Sequence, residues 1–453
     1  MKDSRQETVQ IFRNIPDFTR QFPSGKACHV RWQPRRESAA RSTMTGQSSG
    51  ELPLASPILR VLRWGYERTL MSVFLIFLGC TLMSRLLYAQ AALQAPTPSG
   101  PPPTLEEVRK AMGIPSHDDV RGQQDAVGFA STAVQMEKTW ELSATPPAPE
   151  RLGEAPPPGV AGVICPHDDY IYAGRVYRKV LPLVTAKTVI LVGVFHGWRK
   201  FAAHDVLVFD DYRAWRTPDG EVPVSGLRAD ILARLGKDEY VQSAAWHDSE
   251  HSLEALLFWL RHVRPDLEIV PVIVPVMHFS RMDTLASHLG AAIGAVMAKR
   301  GLVLGKDIAI AISSDAVHYG NDFQYVAYGE GGIDAYAKAC DQDKSLLRGP
   351  LAGDVTTAKA KQFFATCVKE DQPAEYRLPW CGRFSIPFGL LLLEHTTAAL
   401  GLPTPVGHPL CYGTSVGGPE LKVRELGMGS TAPANLYHFV GYPAVAYTVG
   451  ATQ

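Results

Sequence analysis

The sequence predicts an α/β fold: a single domain with a mixed, largely buried β-sheet flanked by helices. Short apolar runs rich in β-branched residues alternate along the chain with segments whose apolar residues recur at helical spacing. One of these runs, residues 188–193, is continuously apolar after Thr188, which is typical of a strand buried on both faces. No internal repeat and no second domain is visible in the sequence after residue 105.

The individual elements follow from these two periodicities. Strands are predicted at residues 161–165, 188–193, 205–209, 269–274 and 308–313. The third of these strands is expected to lie near an edge of the sheet. Helices are predicted at residues 252–262, 282–297 and 386–400, where large apolar residues recur at helical spacing.

The first hundred residues do not have the pattern of a folded domain. Residues 1–59 are polar, and we predict that they form a disordered or non-native N-terminal extension. Residues 70–83 are an apolar run of about 14 residues that follows several arginines and precedes Ala89-Gln90-Ala91. A basic flank, a short apolar core and a small-residue cleavage site make up a secretory signal peptide, whereas a membrane-spanning helix needs roughly 20 apolar residues.

Residues 60–91 are therefore predicted to be a signal peptide, with an uncleaved membrane anchor or an internal helix as alternatives. In the anchored case, residues 69–84 would provide the membrane attachment. We expect the folded domain to be exported, to the periplasm or the extracellular space, or to be held outside the membrane by the anchor. Residues 92–104 are predicted to be a Pro-rich linker, and residues 105–453 the folded domain.

Composition narrows the classes of function. The chain has 45 Lys and Arg residues and 45 Asp and Glu residues, and it lacks basic runs, so we expect no nucleic-acid partner. It also lacks a phosphate-binding loop and the nucleophile motif of α/β-hydrolases. Five cysteines follow the predicted signal peptide, none of them in a CxxC pair. In an oxidising compartment, Cys340 and Cys367 could form a disulfide.

Polar residues follow three of the predicted strands at the point where each strand ends. His167 comes just after residues 161–165, and His196 just after residues 188–193. Asp315 and His318 come just after residues 308–313. Because the carboxyl ends of neighbouring parallel strands meet at one edge of a sheet, we expect these side chains to line a shared cleft.

These segments, taken in order, resemble the Memo-like family, which includes the bacterial AmmeMemoRadiSam system protein B. The resemblance runs over roughly residues 160–395 and rests on six pieces: residues 166–174, the strand ending at His196, and residues 250–254, 269–275, 313–320 and 381–383. Each piece alone is a weak signal, whereas six of them in the same order are fairly specific.

The resemblance implies a fold like that of the class III (LigB-like) extradiol dioxygenases. It also implies a pocket in which His167, His196 and Cys381 hold an iron or copper ion. Two imidazoles and a thiolate can bind such a metal and leave a coordination position open.

Four further residues are candidate catalytic residues. Asp315 and His318 are expected to form an acid/base pair or to orient the metal ligands, with an N-cap role for Asp315 as the structural alternative. Glu250 and His251 open the helix predicted at residues 252–262, and Glu254 follows Glu250 at i+4, so these two carboxylates are expected to share a helix face.

Two departures from the family pattern concern the metal pocket. Family members usually have Pro-His-Ala-Gly where this chain has Pro166-His167-Asp168-Asp169. They usually have a His-His doublet where this chain has the single His196. Asp168 or Asp169 could replace the missing ligand, and a His/carboxylate set suits non-haem iron better than copper.

The sequence therefore favours a metal-dependent redox or oxygenase-like protein that acts on an unknown small molecule or peptide. The main alternative is a non-catalytic protein that binds a ligand or peptide in a vestigial dioxygenase-like cleft. A hydrolase-like enzyme using Asp315 and His318 is a third hypothesis. For Cys381 alone, a redox thiol of low pKa is the other functional interpretation.

Overall fold

The structure, a computed structural model, describes residues 100–450. The predicted extension (1–59), the predicted signal peptide or anchor (60–91, including 69–84) and most of the linker (92–104) lie outside the described residues, and export and membrane anchoring stay predictions. Within residues 100–450, no helix combines the length and the apolar character that crossing a bilayer requires.

The described chain contains sixteen strands, which we number in chain order. They are β1 (Val120–Arg121), β2 (Glu150–Arg151), β3 (Val160–Cys165), β4 (Thr188–Val194), β5 (Leu207–Phe209), β6 (Ala214–Thr217), β7 (Gly220–Pro223), β8 (Tyr240–Gln242), β9 (Glu268–Val274), β10 (Ile308–Ser313), β11 (His318–Gly320), β12 (Gly353–Asp354), β13 (Val368–Lys369), β14 (Gln372–Tyr376), β15 (Val406–Thr414) and β16 (His438–Thr448).

Ten α-helices complete the described part of the chain. They are α1 (Leu105–Ala111), α2 (Ala133–Ser143), α3 (Tyr170–Val180), α4 (Leu227–Leu232), α5 (Ala244–Asp248), α6 (Glu254–Val263), α7 (Phe279–Arg300), α8 (Ile333–Arg348), α9 (Thr357–Cys367) and α10 (Ser385–Ala399). Two short 3-10 turns are also important for the site, namely His196–Arg199 and Cys381–Arg383.

The main sheet has eleven strands in the order β12-β15-β16-β3-β10-β4-β9-β5-β8, with β11 paired to β16 and β2 paired to β15. Its centre, β3-β10-β4-β9, is parallel, whereas β16 and β5 flank this centre in the antiparallel sense. Every residue of β3, β4 and β10 is buried, as a strand covered on both faces requires. The predicted α/β class with a mixed, buried sheet is confirmed.

The predicted elements agree with the observed ones to within a few residues. For one helix, the difference in its first residue changes where two candidate site residues lie. The helix predicted from residue 252 begins at Glu254, after Leu253 at the N-cap position. Glu250 and His251 therefore lie in the turn before α6, and the prediction that Glu250 and Glu254 share a helix face is wrong. The turn forms because the Glu250 carboxylate accepts hydrogen bonds from the amides of His251 and Ser252, which satisfies these donors outside a helix.

Two helices cross closely behind the sheet because glycines remove the side chains between them. Helix α7 carries Gly290 and Gly294 one turn apart, facing α10. A Cβ at Gly290 would lie 2.8 Å from Cβ of His395, and one at Gly294 would lie 2.8 Å from Cβ of Ala399. A larger residue at either position would force α7 and α10 apart.

The segment before α2 is fixed to the turn before α6 by a buried arginine. Arg121 is fully buried and forms an ion pair with Glu254. Its guanidinium also donates to the carbonyls of His247, at 2.7 Å, and Glu250, at 2.6 Å. A buried charge of this kind requires its partners, since its desolvation cost is otherwise uncompensated.

Replacing Arg121 with Met is expected to lower the free energy of unfolding by about 3–5 kcal/mol, because the Glu254 carboxylate would remain buried without its counter-charge. Urea denaturation followed by circular dichroism measures this change. The matched control is Lys138→Gln, which breaks the exposed pair with Glu141 and should cost less than about 1 kcal/mol. Equal stability of Arg121→Met and the wild type would contradict this account of the buried pair.

Candidate metal centre

The carboxyl ends of β3, β10 and β4 lie side by side and open onto one cavity of about 210 Å³. The residues that line the cavity are His167, Asp168, Asp169, Tyr172, His196, His251, Asp315, His318, Phe323, Cys381, Ser415, Thr431, Ala432, Pro433, Ala434, His438 and Val440. The expectation that the three strand ends share a cleft is confirmed. No lysine or arginine is among these lining residues.

His167, which follows β3, has one ring nitrogen directed into the protein and one toward the cavity. Nδ1 lies 2.7 Å from Oγ of Ser313, whose own proton is donated to the carbonyl of Ser252. Ser313 Oγ therefore accepts from Nδ1–H, which leaves the lone pair on Nε2. Burial, followed by the neighbouring imidazoles, lowers the pKa of His167 well below its usual range, so the ring is neutral and able to bind a metal.

His196, which follows β4, is oriented in the same way by a carboxylate. Its Nδ1 lies 2.9 Å from Oε1 of Glu250, and its backbone amide donates to Oε2 of Glu250 at 2.6 Å. Because the carboxylate can only accept, Nδ1 carries the proton and Nε2 is free to bind a metal. Burial acts to raise the pKa of Glu250, but His196, His251 and the Ser252 amide together hold it below its usual range.

Cys381 starts the 3-10 turn Cys381–Arg383 and faces His318. Its Sγ lies 3.4 Å from Nε2 of His318. Nδ1 of His318 lies 3.1 Å from the carbonyl of Ala316 and 3.2 Å from that of Pro379, so Nδ1 carries the proton. The remaining lone pair on Nε2 is directed at the sulfur.

The electrostatics of Cys381 do not favour a free reactive thiolate. Burial first, and then the Asp315 carboxyl, raises the pKa of the Cys381 thiol well above its usual range. The interpretation of Cys381 as a redox thiol of low pKa is thus not supported by its surroundings. A bound metal cation would lower the pKa of the Cys381 thiol, because metal coordination favours the thiolate.

The donor atoms of His167, His196 and Cys381 all lie within 4.8 Å of one another. Two further groups in the described part of the chain meet the same criterion: His196 with Glu250 and His251, and Asp315 with His318 and Cys381. All seven predicted site residues are therefore brought together at one edge of the sheet. Asp315 does not cap a helix; instead, its Oδ1 accepts from the amide of His167 at 2.9 Å.

His251 completes a triangle of imidazole rings. Its ring centroid lies 5.1 Å from that of His196 and 5.7 Å from that of His167. Its Nδ1 is buried and has no hydrogen-bond partner among residues 100–450. The ring of Phe129 stacks against it at 6.0 Å. The turn before α6 thus places a third imidazole beside those of His167 and His196.

Asp168 and Asp169 do not replace a missing ligand, because each carboxylate is bound by another element. Asp168 accepts from the hydroxyl of Tyr442 at 2.5 Å. Asp169 accepts from the amide of Thr431 at 2.6 Å and from its hydroxyl at 3.0 Å. Neither aspartate belongs to a candidate metal group within residues 100–450. Burial, together with Asp168, raises the pKa of Asp169 to about 8.

Asp343 on α8 holds the two segments that carry Cys381 and His318. Its buried carboxylate accepts from the indole N–H of Trp380 at 2.7 Å and from the amide of Val317 at 3.2 Å. It also accepts from the hydroxyl of Tyr412 at 2.6 Å. Trp380 precedes Cys381 and Val317 precedes His318, so one carboxylate fixes the sulfur and the imidazole relative to each other.

Several site residues were not foreseen from the sequence. Seven of the seventeen lining residues belong to the C-terminal wall, which we define as Ser415, Thr431, Ala432, Pro433, Ala434, His438 and Val440. Phe129 and Asp343 were also missed. None of them lies in a segment with a recognisable motif, and only their packing reveals their role. The five described cysteines, including Cys340 and Cys367, are free.

The family model described as Memo-like protein matches residues 134–401, which is more than half of the chain. The match includes all seven predicted site residues, whereas Arg121, Phe129 and the C-terminal wall lie outside it.

Individual relatives are distant. The chain is 25% identical over 196 residues to a MEMO1 family protein from Thermococcus kodakarensis, covering 42% of this chain and 64% of that protein. It is 30% identical over 164 residues to a MEMO1 family protein from Thermotoga neapolitana, covering 35% and 53%. A third, from Archaeoglobus fulgidus, is 28% identical over 163 residues, covering 35% and 56%. The matched region thus spans less than two thirds of each relative's length.

Replacing Asp343 with Asn is expected to loosen the pairing of Cys381 with His318. The side-chain amide of Asn would place an N–H group against the N–H donors that now bind the Asp343 carboxylate. This should lower the free energy of unfolding by about 1–3 kcal/mol. We expect a lower melting temperature and a several-fold faster alkylation of Cys381 by iodoacetamide, followed by mass spectrometry of the Cys381 peptide. Asp341→Asn, an exposed position on the same helix, is the control and should change neither quantity. Unchanged alkylation in Asp343→Asn would rule out the positioning role.

Proposed function

The chain belongs to the Memo-like family, and we propose that it binds an iron or copper ion through His167, His196 and Cys381 for redox or oxygenase-like chemistry on a small molecule. The observation that carries the proposal is the orientation of the two imidazoles. Both have their Nδ1–H donated inward, to Ser313 and to Glu250, so that both Nε2 atoms are available beside the Cys381 sulfur. Histidines that bind metals are characteristically oriented by such a hydrogen bond at the other ring nitrogen.

The donor set suits the proposed metals. Imidazole and thiolate are ligands for iron and copper, and three protein ligands leave positions for a substrate. When bound, the ion would supply electron transfer or activation of oxygen. The protein contributes a fixed donor geometry, the Ser313 hydroxyl and the Glu250 carboxylate that orient the two rings, and a cavity that would enclose a small substrate.

The proposed roles of the candidate catalytic residues follow from their contacts. Glu250 orients His196 and does not face a substrate directly, because its carboxylate is occupied by four N–H donors. His318 and Asp315 face the cavity and are placed to accept or donate a proton there. His251 has a ring nitrogen without a partner among the described residues and is placed to contact a ligand.

The volume and lining of the cavity favour a small substrate over a peptide. Its volume of about 210 Å³ is below the usual range for drug-sized ligands. Its lining contains three aspartates and no lysine or arginine, so it does not favour a carboxylate or phosphate group. A neutral, hydroxylated or cationic small molecule is the class that this lining suits.

Metal analysis of the purified full chain tests the proposal. We expect iron or copper to be bound in the wild type and to fall by at least about tenfold in His196→Ala and Cys381→Ala, because each variant removes a ligand. His288→Ala, an exposed histidine that pairs with Glu239, is the matched control and should bind as the wild type does. A metal-free wild type that still binds a ligand in the cavity would instead support the non-catalytic alternative.

Metal affinity is expected to rise with pH between about 6 and 8. The Cys381 thiol has a raised pKa and is therefore protonated in this range, so that metal binding must displace its proton. Each pH unit should then raise the apparent affinity by about tenfold, as measured by competition with a chromophoric chelator. The pH dependence should be smaller in Cys381→Ser. A wild-type affinity that does not change with pH would exclude Cys381 as a ligand.

A further inference from the structure

Asp315, His318 and Cys381 form a second set of convergent donors beside the first one. Their donor atoms lie within 4.8 Å of one another, as do those of His167, His196 and Cys381. The two sets share only the Cys381 sulfur, and the five residues do not form one group at this separation. The arrangement therefore does not place all five donors around one ion.

From this geometry we propose that the centre has two cation positions, the second formed by Asp315, His318 and Cys381, with the Cys381 sulfur bridging the two ions. This inference rests on the proposed function, which supplies the first ion. The class of ligand is a divalent first-row metal ion, since the second set combines a carboxylate, an imidazole and a thiolate.

His318 has the same orientation as the histidines of the first set. Its Nδ1–H is held by the carbonyls of Ala316 and Pro379, and its Nε2 lone pair faces Sγ of Cys381 at 3.4 Å. The ring of Phe323 packs edge-on against it at 4.9 Å and restricts its rotation. A carbonyl at one ring nitrogen and a free lone pair at the other is the arrangement typical of a metal-binding histidine.

A carboxylate oxygen of Asp315 faces the lone pair on Nε2 of His167. Its side chain is almost fully buried, and its Oδ2 lies 3.3 Å from Nε2 of His167. The Nε2 atom carries no proton, because the proton is on Nδ1, donated to Ser313. Two acceptor atoms that face each other at this distance require a proton or a cation near them. In the metal-free protein a proton held between Asp315 and His167 meets this requirement, and a cation bound to Asp315 would replace that proton.

The lining of the cavity is compatible with a second cation, because Asp168, Asp169 and Asp315 line it and no lysine or arginine does. A thiolate sulfur has the lone pairs needed to bridge two ions, and two-metal sites hold their ions about 3.5–4 Å apart.

Cobalt(II) titration of the metal-free full chain tests the proposal. Binding is counted by equilibrium dialysis, and sulfur coordination is followed by the thiolate-to-cobalt absorption in the near ultraviolet. We expect two equivalents in the wild type, and one in either His196→Ala or His318→Ala. Cys381→Ala should weaken both positions by at least about tenfold and abolish the absorption band. His288→Ala is the control and should keep two equivalents.

The outcomes separate this inference from the proposed function. One equivalent in the wild type, lost in His196→Ala and kept in His318→Ala, would overturn the second position and leave the first one standing. No binding by the wild type would overturn both. Asp315→Asn provides an independent test, because it nearly preserves the side-chain volume; retention of two equivalents in that variant would also overturn the proposal. Circular dichroism establishes that each variant is folded.

Discussion

The carboxylate of Glu250 is the interaction on which the rest of the site depends. It accepts four N–H groups, two from His196 and one each from His251 and Ser252. A single buried side chain thus ties the end of β4 to the turn before α6 and sets the direction of the His196 imidazole. Its own backbone carbonyl is held by Arg121, so the N-terminal segment supports the same turn. Such a buried carboxylate is stable only because every partner is present.

The site also depends on the parallel centre of the sheet. Strands β3, β10 and β4 are adjacent, and the polar residues that follow them meet at their carboxyl ends. The strands are buried on both faces and hold these ends rigidly, while the residues beyond them face a cavity. Rigid strands that deliver polar residues to one edge are the usual way in which α/β folds build a binding site. Asp343 likewise fixes the segments that carry Cys381 and His318, because its carboxylate binds the residue before each of them.

Some residues of the site lie inside the region that matches the family, and others lie outside it. The residues that match the Memo-like family include every predicted ligand, whereas the C-terminal wall and Phe129 come from outside the match. The donors therefore lie in the part of the chain that matches the family, and much of the cavity surface lies outside that match. Differences in substrate between relatives are expected to arise in such segments.

The sequence by itself determined the α/β class, the positions of the buried strands and the donor residues at their ends. It could do so because apolar periodicity and short motifs are local properties of the chain. Only the tertiary structure decided that His251 joins the two other imidazoles, that Asp168 and Asp169 are held by Tyr442 and Thr431, and that α6 begins at Glu254. These outcomes depend on contacts between residues far apart in sequence, and the spacing of residues along the chain carries no record of which distant partner satisfies a buried polar group.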